Sequence, residues 1–400
     1  MKAVFDDPQF SFQTLRALSG TIYGASDVGE CLSTAYRITE GDFESWYAEW
    51  HKTAERIHKL AREFLKAGHD VSAREAFMRA SNYYRLAEFY LHGDPGDPRI
   101  KKLSKKSADC FGEFFRLGDV LMEPVKIPYE GTTLPGNFYR VDESGAPRPT
   151  LLLQTGFDGT IEELYSGATA ATARGINCLA FEGPGQGGVI RDQGLVFRHD
   201  WEKVITPVLD FALGLPDVDP GKVALMGISF GGYLAPRAAA FEHRLAALIA
   251  NGGVHDFMGS KVPPGMTMDQ MVELIKSDPE GFNKGVWEMA ETNSDMRWAM
   301  QNGMFTFGAN DPGDWWLKCA LYTMEGVADK IECPTLVIDS EADQSFPGEA
   351  QKLYDALKCP KTWMLFTAGE GAEEHCQVGA GFISGERIYN WLAETLDNAG

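Results

Sequence analysis

Four hundred residues, 44% hydrophobic and 12% aromatic, can bury at least one large core, and the natural architecture is one big α/β domain with a smaller partner. The formal net charge of −20 argues against a nucleic-acid partner, which selects a cationic surface, and against an anionic membrane.

The first third reads as helical. Between Asp42 and Gly68, apolar residues recur at Trp46, Trp50, Ile57, Leu60 and Phe64, one stripe of a helix that Gly68 ends. The next segment has the pattern of a capping box, Ser72 to Glu75, and a stripe of Phe77, Ala80, Tyr84, Ala87 and Leu91, so the two helices pair as a hairpin. A turn at 93–98 leads to a third helix ending near Arg116, whose basic run, Arg99 to Lys106, is spaced as a solvated helix face.

From Val125 the pattern changes. A hairpin is expected over 125–141, followed by apolar runs at "TLLLQTG", "INCLAF", "KVALMGIS", "LAALIANGG", "PTLVIDS" and "KTWMLFTAG", most of them separated by helical stretches. Apolar strands alternating with helices predict a mostly parallel sheet with helices on both faces. The chain therefore divides into a helical domain, 1–124, and an α/β domain, 125–400. Within the latter, 258–324 reads as a helical insert holding nine of the fourteen methionines with Trp287, Trp298, Trp315 and Trp316. Adaptable core packing explains that composition, and a wall of an apolar substrate pocket is compatible with it.

"AFEGPGQGG" contains a G-x-G-x-x-G (Gly183, Gly185, Gly188) after a strand, with Asp200 and Glu202 downstream as ribose-binding candidates. Pro184 has no N–H to offer a pyrophosphate, and no amphipathic helix opens directly after Gly188. The segment reads as a glycine-rich turn beside an active site, and no cofactor is expected.

"VALMGISFGGYLAPRAAA" carries Gly227-Ile228-Ser229-Phe230-Gly231 between a strand and an alanine-rich helix. A serine on so tight a turn has its hydroxyl pushed into the open, and glycines on either side let the turn close. Its base must follow in the chain. Of eight histidines only His375 lies in a loop between the last strand and the closing helix. The orienting acid is expected after the penultimate strand, where Asp339, Glu341 and Asp343 are available; Asp343, deeper in the loop, is favoured over Asp339, with Asp256 third. The oxyanion donors expected are the N–H of Phe230, which follows the nucleophile, and that of Phe157, in the loop after "TLLLQTG".

The cysteines (Cys31, Cys110, Cys178, Cys319, Cys333, Cys359, Cys376) are odd in number and form no C-x-x-C, which supports neither a disulfide framework nor a zinc cluster. No apolar leader and no run of ~18 apolar residues is present, so the expectation is a soluble cytoplasmic protein acting on a small molecule, without metal.

Together, "FEGPGQGG", "GISFGGYLAPRAA", "RLAALIANGGVHD", "DQSFP" and "EEHCQ" resemble one branch of the α/β-hydrolases, which includes 2,6-dihydroxypseudooxynicotine hydrolase and the fungal Ayg1-type polyketide-shortening hydrolases. The resemblance covers most of the chain and implies a helical N-terminal lid, a triad of Ser229, Asp343 and His375, and a homodimer. It implies cleavage of a carbon–carbon bond next to a ketone on an aromatic or polyketide-like substrate. Carboxylesterase, amidase or peptidase activity by the same residues is the alternative, and a non-catalytic hydrolase-fold binding protein is a rival of another class.

Overall fold

The structure, a computed structural model, describes residues 1–398. Its helices and strands divide into two compact units, Met1–Val120 with Gly285–Phe305, and Leu121–Lys284 with Thr306 onward.

The first unit is helical: α1 (Pro8–Ser19), α2 (Val28–Ala35), α3 (Phe43–Lys66), α4 (Asp70–Glu88) and α5 (Pro98–Arg116). The α3 stripe folds inward as its spacing requires, with Trp46, Trp50 and Ile57 buried and Leu60 and Phe64 packed beside them. From α4 it meets Phe77, Ala80, Tyr84 and Ala87, and the Trp46 indole donates to Leu86 O at 2.8 Å. On α5, Ile100 and Leu103 are buried while Lys101, Lys102 and Lys105 face solvent, as the basic run predicted. Residues 285–305 join this unit through His92 Nδ1 bonded to Asn302 Oδ1 at 2.8 Å and Phe89 stacked on Trp298.

One expectation fails here, and two helices of the helical first third carry no pattern that assigns them. The capping box at Ser72 does not form, because α4 begins at Asp70, a full half-turn earlier, with His69 at the cap position. Helices α1 and α2 lie in a stretch for which no element was predicted; each starts on an aspartate, Asp7 and Asp27, that accepts from first-turn N–H groups.

The second unit holds an eight-stranded sheet in the order β1-β2-β4-β3-β5-β6-β7-β8. The hairpin β1 (Met122–Tyr129) and β2 (Thr132–Tyr139) is antiparallel and pairs antiparallel to β4. The rest is parallel: β3 (Arg148–Gln154), β4 (Asn177–Phe181), β5 (Val218–Ile228), β6 (Ala247–Asn251), β7 (Thr335–Ser340) and β8 (Lys361–Phe366). Successive strand residues point to opposite faces, so the unbroken burial of β4 and β6 means that both faces are covered. The helices that follow are α6 (Tyr165–Thr172), α7 (Glu202–Leu213), α8 (Gly231–Ala239), α9 (Met268–Ser277), α10 (Pro279–Ala290), α11 (Ser294–Phe307), α12 (Pro312–Cys319), α13 (Glu349–Ala356) and α14 (Gly381–Asp397). The expected helical insert is thus α9 to α12, and its 285–305 portion belongs to the first unit. Among the described residues no helix is long and apolar enough to cross a membrane, and all seven cysteines are free thiols.

Strand order reverses at β3, which pairs with both β4 and β5, and in an open parallel sheet ligands bind beyond the carboxyl ends at such a point. The carboxyl ends of β3, β5, β6 and β7 lie in register through Gln154, Gly227, Ile228, Asn251 and Ile338.

Candidate active site

Ser229 stands where β5 turns into α8. Its φ is +62°, a left-handed conformation that costs a non-glycine residue about 1–3 kcal/mol and persists only when the surroundings impose it. They do so through two bonds: the Ser229 N–H donates to Asn251 O at 2.8 Å, and the Gly232 N–H donates to Ser229 O at 2.7 Å. The glycines of the motif are steric requirements, since a Cβ on Gly227 would lie 2.0 Å from Gly231 O.

His375 comes to this serine from the far end of the chain. Its Nε2 is 2.8 Å from Ser229 Oγ and its Nδ1 is 2.6 Å from Asp343 Oδ2. Asp343 is in turn held by the Ser345 and Phe346 N–H groups, which donate to its other oxygen. The loop carrying His375 passes through left-handed backbone at Cys376 and Gln377, and the Gln377 amide anchors it by donating to Ser340 Oγ at the end of β7. Burial alone would discharge the imidazolium, but the Asp343 carboxylate, with the Cys376 sulfur beside the ring, more than reverses this and holds His375 well above its ordinary 6.5. Burial would likewise raise Asp343, yet the imidazole and the two N–H donors bring it below the usual carboxylate range.

The competing acids are engaged elsewhere. Asp339 Oδ1 accepts from the adjacent Ser340 N–H, and burial raises its carboxyl. Glu341 accepts from Ala368 N–H, and Asp256 pairs with His255 Nδ1 at 2.8 Å. His255, Asp256 and Glu349 have ligand-type atoms within 4.8 Å of one another. Each is already in use, Glu349 taking the Asp256 N–H and the Lys352 ammonium, so the group is a hydrogen-bonded cluster joining the loop after β6 to α13.

The two expected oxyanion donors lie on touching backbone. A Cβ on Gly156 would fall 2.6 Å from both Ile228 O and Phe230 N, so the loop after β3 rests directly on the nucleophile's turn. Gln154, at the end of β3, accepts from the Trp201 indole at 2.8 Å. Gly156→Ala should therefore force the two segments apart. The expected loss in kcat is about 10²–10³, the scale of a lost oxyanion donor, read by steady-state kinetics alongside a melting curve.

Aromatic rings surround these groups. Phe257 lies 4.2 Å from Phe230 and 5.7 Å from Phe346, and Phe346 lies 5.8 Å from His375. Phe307 and Trp315, from the Met- and Trp-rich insert, pack on Phe157 at 6.3 and 6.4 Å.

The glycine-rich turn at 183–188 serves packing. A Cβ on Gly183 would strike Trp201 at 2.7 Å, and the segment after it, Val189–Gln193, is a single π-helical turn. The ribose candidates are in ion pairs, Asp200 with Arg198 and Glu202 with Arg237.

A family model described as "Alpha/beta hydrolase family" matches residues 145–376, which contain Ser229, Asp343 and His375. The chain belongs to the α/β hydrolase family. Hydrolase LUC6 of Fusarium sp is 34% identical over 99% of this chain and 98% of its own. The 20-hydroxy-prefusarin hydrolase FUS2 of Gibberella moniliformis is also 34% identical, over 99% of this chain and 98% of its own. The crystal structure of 2,6-dihydroxy-pseudo-oxynicotine hydrolase superposes with a TM-score of 0.74 over 95% of each chain. At 19% identity that is a likeness of fold, and it falls in the branch to which the motifs pointed.

Proposed function

We propose that this α/β hydrolase is a serine hydrolase that cleaves the acyl–carbon bond of a bulky, aromatic or polyketide-like ketone. The observation that carries the reading is the unbroken chain Ser229 Oγ, His375, Asp343, at 2.8 and 2.6 Å, beside the rings of Phe157, Phe230, Phe257 and Phe346. A relative named for 20-hydroxy-prefusarin and a fold neighbour named for 2,6-dihydroxy-pseudo-oxynicotine both support a small organic substrate.

In this reading Ser229 Oγ attacks the ketone carbon while His375 Nε2 takes its proton, and Asp343 stabilises the imidazolium. The oxyanion is received by the Phe157 and Phe230 N–H groups. When the tetrahedral adduct collapses, the C–C electron pair leaves as an enolate that the imidazolium protonates, and water then releases the acyl group from Ser229. The N-terminal helical unit serves as a lid that excludes water, which a carbanion-like leaving group demands and an activated ester does not. A homodimer and a reducing cytoplasmic location, where seven free thiols persist, complete the proposal.

A panel of β-diketones, acyl-phenols, p-nitrophenyl esters and aminoacyl amides, compared by kcat/KM, tests it. A diketone or acyl-phenol should lead. An ester or amide in the lead would make the protein a carboxylesterase or amidase, and turnover of none would favour a binding protein.

A further inference from the structure

We propose that Gln186 is a positioning residue that aims the Phe157 N–H into the oxyanion site, an inference that rests on the Ser229 reading above. Gln186 lies within the glycine-rich turn that resembles a nucleotide motif, and it is buried. Its Oε1 accepts from the Gly183 N–H at 2.9 Å, which pins the side chain across its own loop. Its Nε2 donates to Thr155 O at 2.8 Å and to Gly156 O at 3.3 Å, one hydrogen for each carbonyl.

The second of these bonds bears on catalysis. The Gly156 carbonyl and the Phe157 N–H belong to one planar trans peptide and point in opposite directions. A donor that holds the carbonyl therefore fixes the direction of the N–H. The first bond keeps the neighbouring peptide from turning, since Thr155 O already crowds α8, lying 2.8 Å from where a Cβ on Gly231 would be. Glu182 clamps the other end of the same loop, accepting from the Ile161 N–H and from the Gly188 N–H, each at 2.7 Å. The turn thus grips the oxyanion loop at both ends, and its glutamine grips the peptide that carries the donor. An oxyanion donor acts only when preorganised, so its aim matters as much as its presence.

The test compares Gln186→Met with the parent enzyme on p-nitrophenyl butyrate and on an alkyl trifluoromethyl ketone, which forms a hemiketal oxyanion on the serine. Expected is a ~10- to 100-fold fall in kcat, less than outright loss of a donor costs, with KM within about threefold. The affinity for the trifluoromethyl ketone should fall by the same factor. Should Gln186→Met fail to fold, Gln186→Glu keeps the shape and the acceptor for Gly183 N–H while losing the amide donors, and at pH 8 it should show the same paired losses. A kcat and a ketone affinity both within twofold of the parent, or a rise in KM alone, would overturn the proposal. Ser229→Ala separates the two levels. If it still turns over substrate, the nucleophile reading fails; if it is dead while Gln186→Met is unimpaired, only the role of Gln186 fails.

Discussion

Ser229→Ala should lose about six orders of magnitude in kcat, because the nucleophile and its base act as a unit and removing either removes both contributions. A fluorophosphonate probe should label the parent at Ser229 and leave the variant unlabelled, with the melting temperature little changed. The strain at this position gives a second readout. Ser229→Gly should be equally inactive yet about 1 kcal/mol more stable than Ser229→Ala, because glycine adopts φ +62° without the Cβ clash. Labelling at another serine, or a catalytically competent Ser229→Ala, would remove the nucleophile from this site.

Asp343→Asn should lower kcat by ~10⁴, since the imidazole tautomer that accepts the serine proton is no longer selected and the imidazolium is no longer stabilised. Asp339→Asn should cost far less, its carboxylate being turned to its own neighbour's N–H. The pH profile separates the two more sharply. His375 works as a base only when deprotonated, and its raised pKa means that kcat/KM should fall as pH drops through a midpoint above 6.5. Without the Asp343 carboxylate the largest effect left is burial, which lowers the imidazole and outweighs the Cys376 sulfur, so the residual activity of Asp343→Asn should have its acid limb at lower pH. An unmoved limb, or a larger loss in Asp339→Asn, would mean that Asp343 does not orient His375.

How far the sequence alone reached depended on whether a feature was local. The α3 and α4 stripes, the apolar strands and the Gly227–Gly231 turn were legible because their causes lie within a few residues: helical period, burial on two faces, and the space a Cβ would need. The start of α4 was misplaced for the same reason, since Ser72 and Glu75 make a local capping pattern that the longer helix overrides. Helices α1 and α2 were missed although Asp7 before Pro8 is a helix-start signal, because neither segment has a stripe long enough to stand out.

For the site, chain order and loop position selected Ser229 and His375 and ranked Asp343 above Asp339. No pattern distinguishes a carboxylate facing an imidazole from one facing its own backbone; that rests on the turn at 343–346 and the left-handed passage through Cys376 and Gln377. Gln186 was hidden for a related reason, since its partners at Thr155 and Gly156 are 31 and 30 residues away and backbone carbonyls leave no mark in a sequence. The sequence by itself determined which elements form and which residue types could do the chemistry, because propensity, period and glycine placement act over short range. Only the tertiary structure decided which side chains meet and what each peptide group faces, because those bonds close long loops, 146 residues between Ser229 and His375.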